Sequence, residues 1–298
     1  MANEQVSATG DADVRLVRKG IASSAAGFWL VSLSPVIVAG AGIHGISLAF
    51  WRSWVGFVVL ATIVMTRKTM TWEAVRRTAP VGLCFGASIG LFFWAAQLTS
   101  VANASLITVL QPLVMMVGAR FMFAEVVTRR DVFWSAIAIT GAVTLVLAGD
   151  SSGTGDIRGD LLAGGSVIVG AGYFIFGKRV LETVEVMPFM TGVFLWAGLL
   201  LTVVVIVSGE RIPPDTGADW LRILAVGLAP GLGHVLLNFA QNKAPLNLIG
   251  VVQLLVPVNA TLMAYFFLDQ SVTGLQLVGM ALVIGALTTQ ATRRATST

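Results

Sequence analysis

The sequence predicts an all-α membrane protein in which ten transmembrane helices form two inverted five-helix repeats, with both termini in the cytoplasm. Three observations support this prediction. Apolar residues make up 56% of the 298 residues and charged residues only 11%, about half the charged fraction of a soluble domain. Ten apolar segments are long enough to cross a bilayer. Motifs in the first half of the chain also recur in the second half at a nearly constant spacing.

Each of the ten segments has about 20 mostly apolar residues, the length that crosses the hydrocarbon core of a bilayer. In chain order they cover residues 20–40, 45–66, 78–98, 103–123, 131–148, 160–180, 187–208, 219–241, 246–267 and 273–290. The connections between them are short and leave no room for a folded domain outside the membrane. The first segment is too long for a signal-peptide core, so we expect it to be retained as a helix.

The chain divides at its polar stretches. Residues 1–18 predict a disordered cytoplasmic tail, and residues 292–298 a second tail. The first repeat is expected over 19–149 and the second over 159–291, joined by a linker loop at 150–158. If the N-terminus is inside, fifteen lysines and arginines fall on the inner side and three on the outer side. The positive-inside rule therefore places both termini in the cytoplasm.

The internal repeat has a spacing of 144 residues, which separates Asn103 from Asn247 and Glu125 from Asp269. Because each repeat has an odd number of helices, the two copies cross the membrane in opposite directions. Inverted repeats of this kind are typical of transporters, and they place equivalent residues opposite one another near the bilayer midplane. We expect a small-molecule substrate to bind there, with alternating access from the two sides.

Several motifs resemble one family of membrane proteins. They are ASLITVLQPL with the later FAE and ITG, their counterparts LIGVVQLLVP, FLD and VIG, and GDLLAGGSVIVGAGYFIFGKRVL at 159–181. This pattern resembles the EamA-type members of the drug/metabolite transporter superfamily. The sequence departs from the usual pattern at Asp269, where glutamate is commoner, and at Gly170, where tryptophan is frequent. The resemblance implies a ten-helix exporter of small metabolites in the bacterial inner membrane, with the aromatic and neutral amino-acid exporters as the nearest comparison.

Segment 8 carries the clearest set of polar residues within a predicted helix. One helix face presents, at intervals of four, three, four and three residues, Gly227, Gly231, His234, Asn238 and Gln241. Moved by 144 residues, this face falls in segment 3 on Leu83, Ala87, Gly90, Trp94 and Gln97. The two faces would form opposite walls of a substrate cavity. The alternative is ordinary packing of small residues, with amide side chains bridging helices.

Five further residues are candidates for substrate binding. Gln111 and Gln253 each lie beside or one turn before a proline, which can break a helix and free backbone groups; a tolerated kink is the alternative. Trp29 and Tyr173 occupy roughly equivalent positions in the two repeats and would close the cavity from two sides, unless they serve only packing. Arg52 lies well inside an apolar segment, and it would bind a carboxylate through a bidentate fork or pair with helix-end carbonyls.

The residue types that are absent from the apolar segments limit the possible transport mechanisms. All fifteen acidic residues lie in tails, loops or helix ends, which disfavours a carboxylate relay for protons or sodium and leaves His234 as the only deep group that can take up a proton. The single cysteine, Cys84, allows neither an internal disulfide nor a cysteine metal cluster. We expect no metal, no cofactor and no nucleic-acid partner, and a protein that functions as a monomer in the lipid bilayer.

Two other substrate classes and one enzyme activity are the alternatives to amino-acid export. A sugar phosphate or nucleotide sugar would need several cations facing the cavity, and the candidates are limited to Arg52 and Lys178, the latter at the end of segment 6. An organic cation would prefer an aromatic cage, which Trp29, Trp94 and Tyr173 would partly supply. An intramembrane serine protease using Ser88, within GASIG, and His234 is a remote alternative, because a nucleophile elbow needs a strand-to-helix turn. We therefore expect no enzyme.

Overall fold

The computed structural model describes residues 2–34, 37, 42–43, 45–99, 106–148, 156–268 and 271–296, with the backbone alone described at 2–14, 96, 97, 264, 268 and 294–296. These residues form helices and short connections, with no strand among them. The helices are α1 Ala2–Val31, α2 Gly45–Thr66, α3 Trp72–Leu98, α4 Gln111–Phe123, α5 Arg129–Leu147, α6 Ile157–Val180, α7 Val186–Ser208, α8 Gly217–Gln241, α9 Leu246–Val252, α10 Leu255–Leu268 and α11 Gly274–Thr296.

Nine helical spans in the described part of the chain are long and apolar enough to cross a membrane. They coincide with predicted segments 2 to 10, which confirms an all-α, multi-pass membrane protein. The first predicted segment, 20–40, continues beyond α1 into residues outside the described ones. The predicted tail differs, because α1 is helical from Ala2 onwards. Alanine, glutamate and glutamine favour helix, and an existing helix extends more easily than a new one forms.

Contacts between helix ends agree with segments that alternate in direction. The Ser47 hydroxyl, at the start of α2, donates to the carbonyl of Arg211 in the loop before α8, at 2.8 Å. Arg77, near the start of α3, donates to the Thr183 hydroxyl after α6, at 2.7 Å. The charge bias assigns the first contact to the outer side and the second to the cytoplasmic side. Each pairing joins ends that the predicted topology places on one side.

The two halves of the chain interlock and do not lie side by side. The five most extensive helix contacts, α3 with α6, α5 with α11, α3 with α7, α2 with α7 and α1 with α8, all join the first half to the second. Glycine permits the closest approach between α5 and α11, where a Cβ on Gly141 would lie 2.7 Å from the Gly279 carbonyl oxygen. Any site at the centre is therefore built from both halves.

Segments 4 and 9 are both interrupted near their prolines. Turns at 109–110 and 253–254 break segments 4 and 9 at positions 144 residues apart. The broken helices that the sequence suggests are thus present in both halves. In segment 9, the carbonyl of Gln253 accepts from the Val256 backbone N–H at 2.9 Å, which replaces the bond that Pro257 cannot make. The breaks bring the two glutamines of these segments to the centre.

Candidate functional site

A network of buried amides and rings joins α8 to α6. The Asn238 side-chain nitrogen donates to the Tyr173 hydroxyl at 2.5 Å and to the His234 carbonyl at 2.7 Å. The Gln241 Nε2 donates to Asn238 Oδ1 at 2.7 Å. Asn238, Gln241 and Tyr173 are all buried. The structure thus brings together four of the predicted site residues through bonds between helices and along α8.

Arg52 extends this network from α2. Its side chain is buried, with 6% exposed, and Nη2 lies 3.3 Å from His234 Nε2. A guanidinium can only donate, so His234 Nε2 accepts and the neutral ring carries its hydrogen on Nδ1. None of the ion pairs in the described part of the chain includes Arg52. A buried cation without a carboxylate partner is unfavourable in low dielectric, and an anionic ligand group would satisfy it.

An aromatic wall faces the network from α3 and α7. The Phe85 ring centroid lies 4.7 Å from His234, 4.9 Å from Tyr173 and 5.7 Å from Phe194. Sequence reasoning did not identify Phe85 or Phe194, because a phenylalanine in an apolar segment looks the same whether it faces lipid or the centre. Among the side chains that meet here, which are Arg52, His234, Tyr173, Phe85 and Phe194, the charged one is Arg52.

A second polar contact joins the two broken segments. Gln253 Nε2 donates to Gln111 Oε1 at 3.0 Å. Gly170 of α6 lies directly beside this pair, since a Cβ there would lie 3.1 Å from Gln111 Nε2 and 2.7 Å from the Ser88 hydroxyl oxygen. Tyr173 follows Gly170 by one helical turn. The glutamine pair and the amide network therefore line neighbouring stretches of the same helix.

Three buried polar atoms at the centre have no hydrogen-bond partner in the described structure. They are His234 Nδ1, Gln241 Oε1 and Gln253 Oε1. Unsatisfied polar groups are rare in protein interiors, and each is a position that a polar ligand or a water molecule can satisfy. Together with Arg52 they provide two kinds of donor and two amide acceptors, one near Gly177 of α6 and one in the glutamine pair beside Gly170.

The structure does not bring the face predicted on α3 to the network. Trp94 is 46% exposed and Leu83 is also exposed. Trp94 follows Phe85 by nine residues, or two and a half helical turns, which places it on the opposite side of α3. The side chain of Gln97 lies outside the described residues. Trp29 of α1 is 44% exposed, so the structure does not bring it to the network either. The spacing of glycines and polar residues correctly grouped the polar side chains of α8. Moving that face by 144 residues did not identify the side chains of α3 that contact them.

Two other assignments change with the structure. The Ser88 hydroxyl donates to the Ser166 carbonyl at 2.9 Å, and no described hydrogen bond joins it to His234. This bond holds α3 against α6, and the described structure shows no Ser88–His234 pair. Lys178, considered as a cation for a phosphate, instead pairs with Glu125 at 2.6 Å. A cavity of about 460 Å³, lined in part by Glu73, Arg77 and Thr183, lies at the ends of α3 and α7, away from the network.

Comparison with known proteins gives distant relatives. The chain is 25% identical over 271 residues to solute carrier family 35 member G1 of Mus musculus, covering 85% of this chain and 72% of that protein. It is 24% identical over 210 residues to the aromatic amino acid exporter YddG of Ancylobacter novellus, covering 69% of this chain and 71% of that one. One solved crystal structure, 19% identical, covers 94% of this chain and 99% of its own with a TM-score of 0.79, which shows a shared fold.

The family comparison covers most of the sequence. The EamA-like transporter family matches twice, over residues 19–147 and 157–289. The two relatives are named as a solute carrier and an exporter. The nine apolar helical spans of the described chain agree with a protein that crosses the membrane many times. The protein is a transporter and not an enzyme, and it belongs to the EamA-like transporter family.

Proposed function

We propose that the protein exports small zwitterionic metabolites, most specifically neutral or aromatic amino acids, across the bacterial inner membrane. The observation that carries this proposal is the buried guanidinium of Arg52, which faces His234 and has no carboxylate partner among the described residues. A substrate carboxylate would form charge-assisted hydrogen bonds with it, and these are stronger than bonds between neutral groups.

The rest of the centre suits an amino acid. The free amide oxygens of Gln241 and Gln253 are acceptors for an ammonium group. The rings of Phe85 and Phe194 offer an apolar surface for a side chain, and stacked aromatic pairs add to the burial of apolar area. The name of the relative from Ancylobacter novellus, an aromatic amino acid exporter, points in the same direction.

The alternative substrates have less support. A phosphate group carries a charge of about −1.5 to −2 at pH 7, whereas Lys178 is already paired with Glu125 and Arg52 is left as the one cation of the network. A cage for an organic cation would need several aromatic faces around one point. Of the three aromatics considered for it, only Tyr173 is at the centre, where it meets Phe85. The Arg52 guanidinium, which has no carboxylate partner among the described residues, would repel a cation there.

Transport requires the centre to open. Tyr173 and Asn238 are buried and packed against one another, so a substrate reaches Arg52 only after helices separate. We propose alternating access in which the broken segments 4 and 9 move on one side and then on the other, because interrupted helices bend at their breaks. Both halves of the site come from one chain, so a monomer would suffice.

Flux into proteoliposomes tests the proposal. The purified protein would be supplied with labelled phenylalanine, tryptophan and leucine, and with the corresponding amines that lack the carboxylate. Arg52→Gln should lower amino-acid flux by about 10-fold to 100-fold, the range for one hydrogen bond to a charged group, and change amine flux little. Arg52→Lys keeps the positive charge and should retain part of the amino-acid flux.

A matched control is Arg67→Gln, which removes an exposed arginine at the end of α2 and should leave flux unchanged. Equal loss for amino acids and amines in Arg52→Gln would refute carboxylate recognition. Absence of saturable flux for every amino acid, from protein shown to be folded, would refute the amino-acid proposal and direct the search to other metabolites.

A further inference from the structure

Glu125 occupies an unusual position just beyond α4. The chain leaves this helix through Ala124 in a left-handed conformation, with φ of 50°, which directs the next side chain back toward the bundle. Glu125 Oε1 accepts from Lys178 Nζ at 2.6 Å and from the backbone N–H of Leu246 at 2.8 Å. Its Oε2 accepts from the N–H of Asn247 at 3.1 Å. One carboxylate therefore makes three bonds.

These bonds connect parts of the chain that would move relative to one another in the proposed alternating access. Glu125 belongs to the first half, while Lys178 ends α6 and Leu246 begins α9 in the second half. α4 and α9 are pieces of the two broken segments, and all three ends lie on the side that the charge bias assigns to the cytoplasm. Lys178 follows Tyr173 by five residues, about 7.5 Å along the α6 axis. The bonded carboxylate thus lies between the network and the cytoplasm.

We infer that Glu125 and Lys178 form the cytoplasmic gate of the transporter, closed when the ion pair and the two backbone bonds are made and open when they part. The inference rests on alternating access and not on the identity of the substrate. It assigns to Glu125 a positioning role, since the carboxylate acts on α9 and α6 and touches no substrate.

Burial distinguishes this ion pair from the other described ion pair on the cytoplasmic side. Glu125 and Lys178 side chains are 11% and 18% exposed, whereas Glu73 and Arg77, also paired, are largely exposed. Exposed pairs contribute little, because water and salt screen them. When one partner of a mostly buried pair is removed, the remaining charge is stranded in low dielectric. Opening toward cytoplasmic water relieves that stranded charge, so a single substitution should shift the population toward the inward-open state.

Distances between spin labels measure the two sides separately, without substrate. In a Cys84→Ser background, a cytoplasmic pair of cysteines would replace Arg120 of α4 and Asn242 after α8. An outer pair would replace their approximate repeat counterparts, Tyr265 of α10 and Leu98 of α3, both exposed. Pulsed electron paramagnetic resonance in lipid nanodiscs then gives a distance distribution for each pair.

Glu125→Gln and Lys178→Gln should each lengthen the cytoplasmic distance and shorten the outer one, with a population shift of about tenfold or more between the two states. Lys178→Gln leaves the carboxylate free to hold α9, so it tests the ion pair even if Glu125→Gln fails to fold. Glu73→Gln is the matched control and should change neither distance.

Several results would overturn the inference. A structural role without gating would broaden both distributions or change neither, and would give no opposite movement of the two sides. The same shift in Glu73→Gln would show that any loss of a cytoplasmic carboxylate has this effect. The spin-label distances are measured without substrate, so they do not depend on the flux experiment. Absence of flux would refute amino-acid export and leave the gate inference intact. Unchanged distances would refute the gate and leave amino-acid export intact.

Discussion

Replacement of Asn238 by leucine tests whether the amide network holds α8 to α6. Asn238 is fully buried and donates to the Tyr173 hydroxyl across the helix interface. It also provides the acceptor for Gln241 Nε2, whose own Oε1 has no partner in the described structure. In Asn238→Leu, the Gln241 amide would be buried with no bond among the described residues.

The magnitude follows from these two losses. Hydrogen bonds between membrane helices average about 0.6 kcal/mol and reach about 1.7, which bounds the Tyr173 contact. A buried group left unsatisfied costs about 1–3 kcal/mol, which applies to Gln241. We expect Asn238→Leu to lower the free energy of unfolding by about 2–4 kcal/mol. In Asn238→Leu/Gln241→Leu the unsatisfied amide is gone, so the double variant should recover at least about 1 kcal/mol relative to the sum of the single variants.

The assay is unfolding by sodium dodecyl sulfate titration in mixed micelles, followed by circular dichroism, for the wild type, both single variants and the double variant. Ser208→Ala, at the outer end of α7 and away from the network, controls for the loss of a polar group elsewhere. If the double variant is destabilised by the sum of the single variants, the two amides are not coupled, and Gln241 does not depend on Asn238.

Three further results are expected. Gly141→Val should lower the free energy of unfolding by about 1–3 kcal/mol through overpacking, because even a Cβ at this position would lie very close to Gly279 of α11. The same titration measures the effect, and equal stability would contradict the close approach of α5 and α11. Phe85→Ala should reduce amino-acid flux at least about tenfold, because a ring proposed to contact the substrate, with about 1.5–3 kcal/mol of apolar burial, is removed. Trp94→Ala should retain flux within about twofold, and equal losses in the two variants would contradict the assignment of the α3 faces. Gln253→Leu should reduce flux while its variant folds normally by size-exclusion chromatography, and unchanged flux would exclude its amide from the site.

Local patterns predicted the helices, the breaks and the shared helix face of three polar residues on α8. The polar spacing on α8 placed His234, Asn238 and Gln241 on one face, because a helix face depends only on the 3.6-residue period. Proline, which acts locally, suggested the breaks in segments 4 and 9, although Pro80 and Pro230 lie inside continuous helices. The inner face of α3 was not predictable in this way. Connections differ in length between the halves, with 67–71 before α3 and 209–216 before α8, so one spacing cannot match every pair of helices.

Contacts between residues far apart in the chain were also not predictable from the sequence. Glu125 is recognisable as a carboxylate at the end of an apolar segment, but its bonds to Lys178 and to α9 depend on helices 53 or more residues away in the chain. Its repeat counterpart, Asp269, lies outside the described residues. Arg52 is similar, because its depth in segment 2 was visible from the sequence while its contact with His234 required the folded bundle.

The two halves share a scaffold but contribute different chemistry, and this difference gives the proposed substrate one orientation. The breaks occur at equivalent positions, so both halves can bend alike. The cation comes from α2 of the first half, whereas the free amide oxygens of Gln241 and Gln253 come from the second half. A zwitterion bound between them would direct its carboxylate toward α2 and its ammonium toward α8 and the break before α10. Rotation of the substrate by half a turn would place its ammonium against the Arg52 guanidinium, which like-charge repulsion disfavours. An inverted repeat can therefore present two similar openings while it binds its substrate in a single orientation.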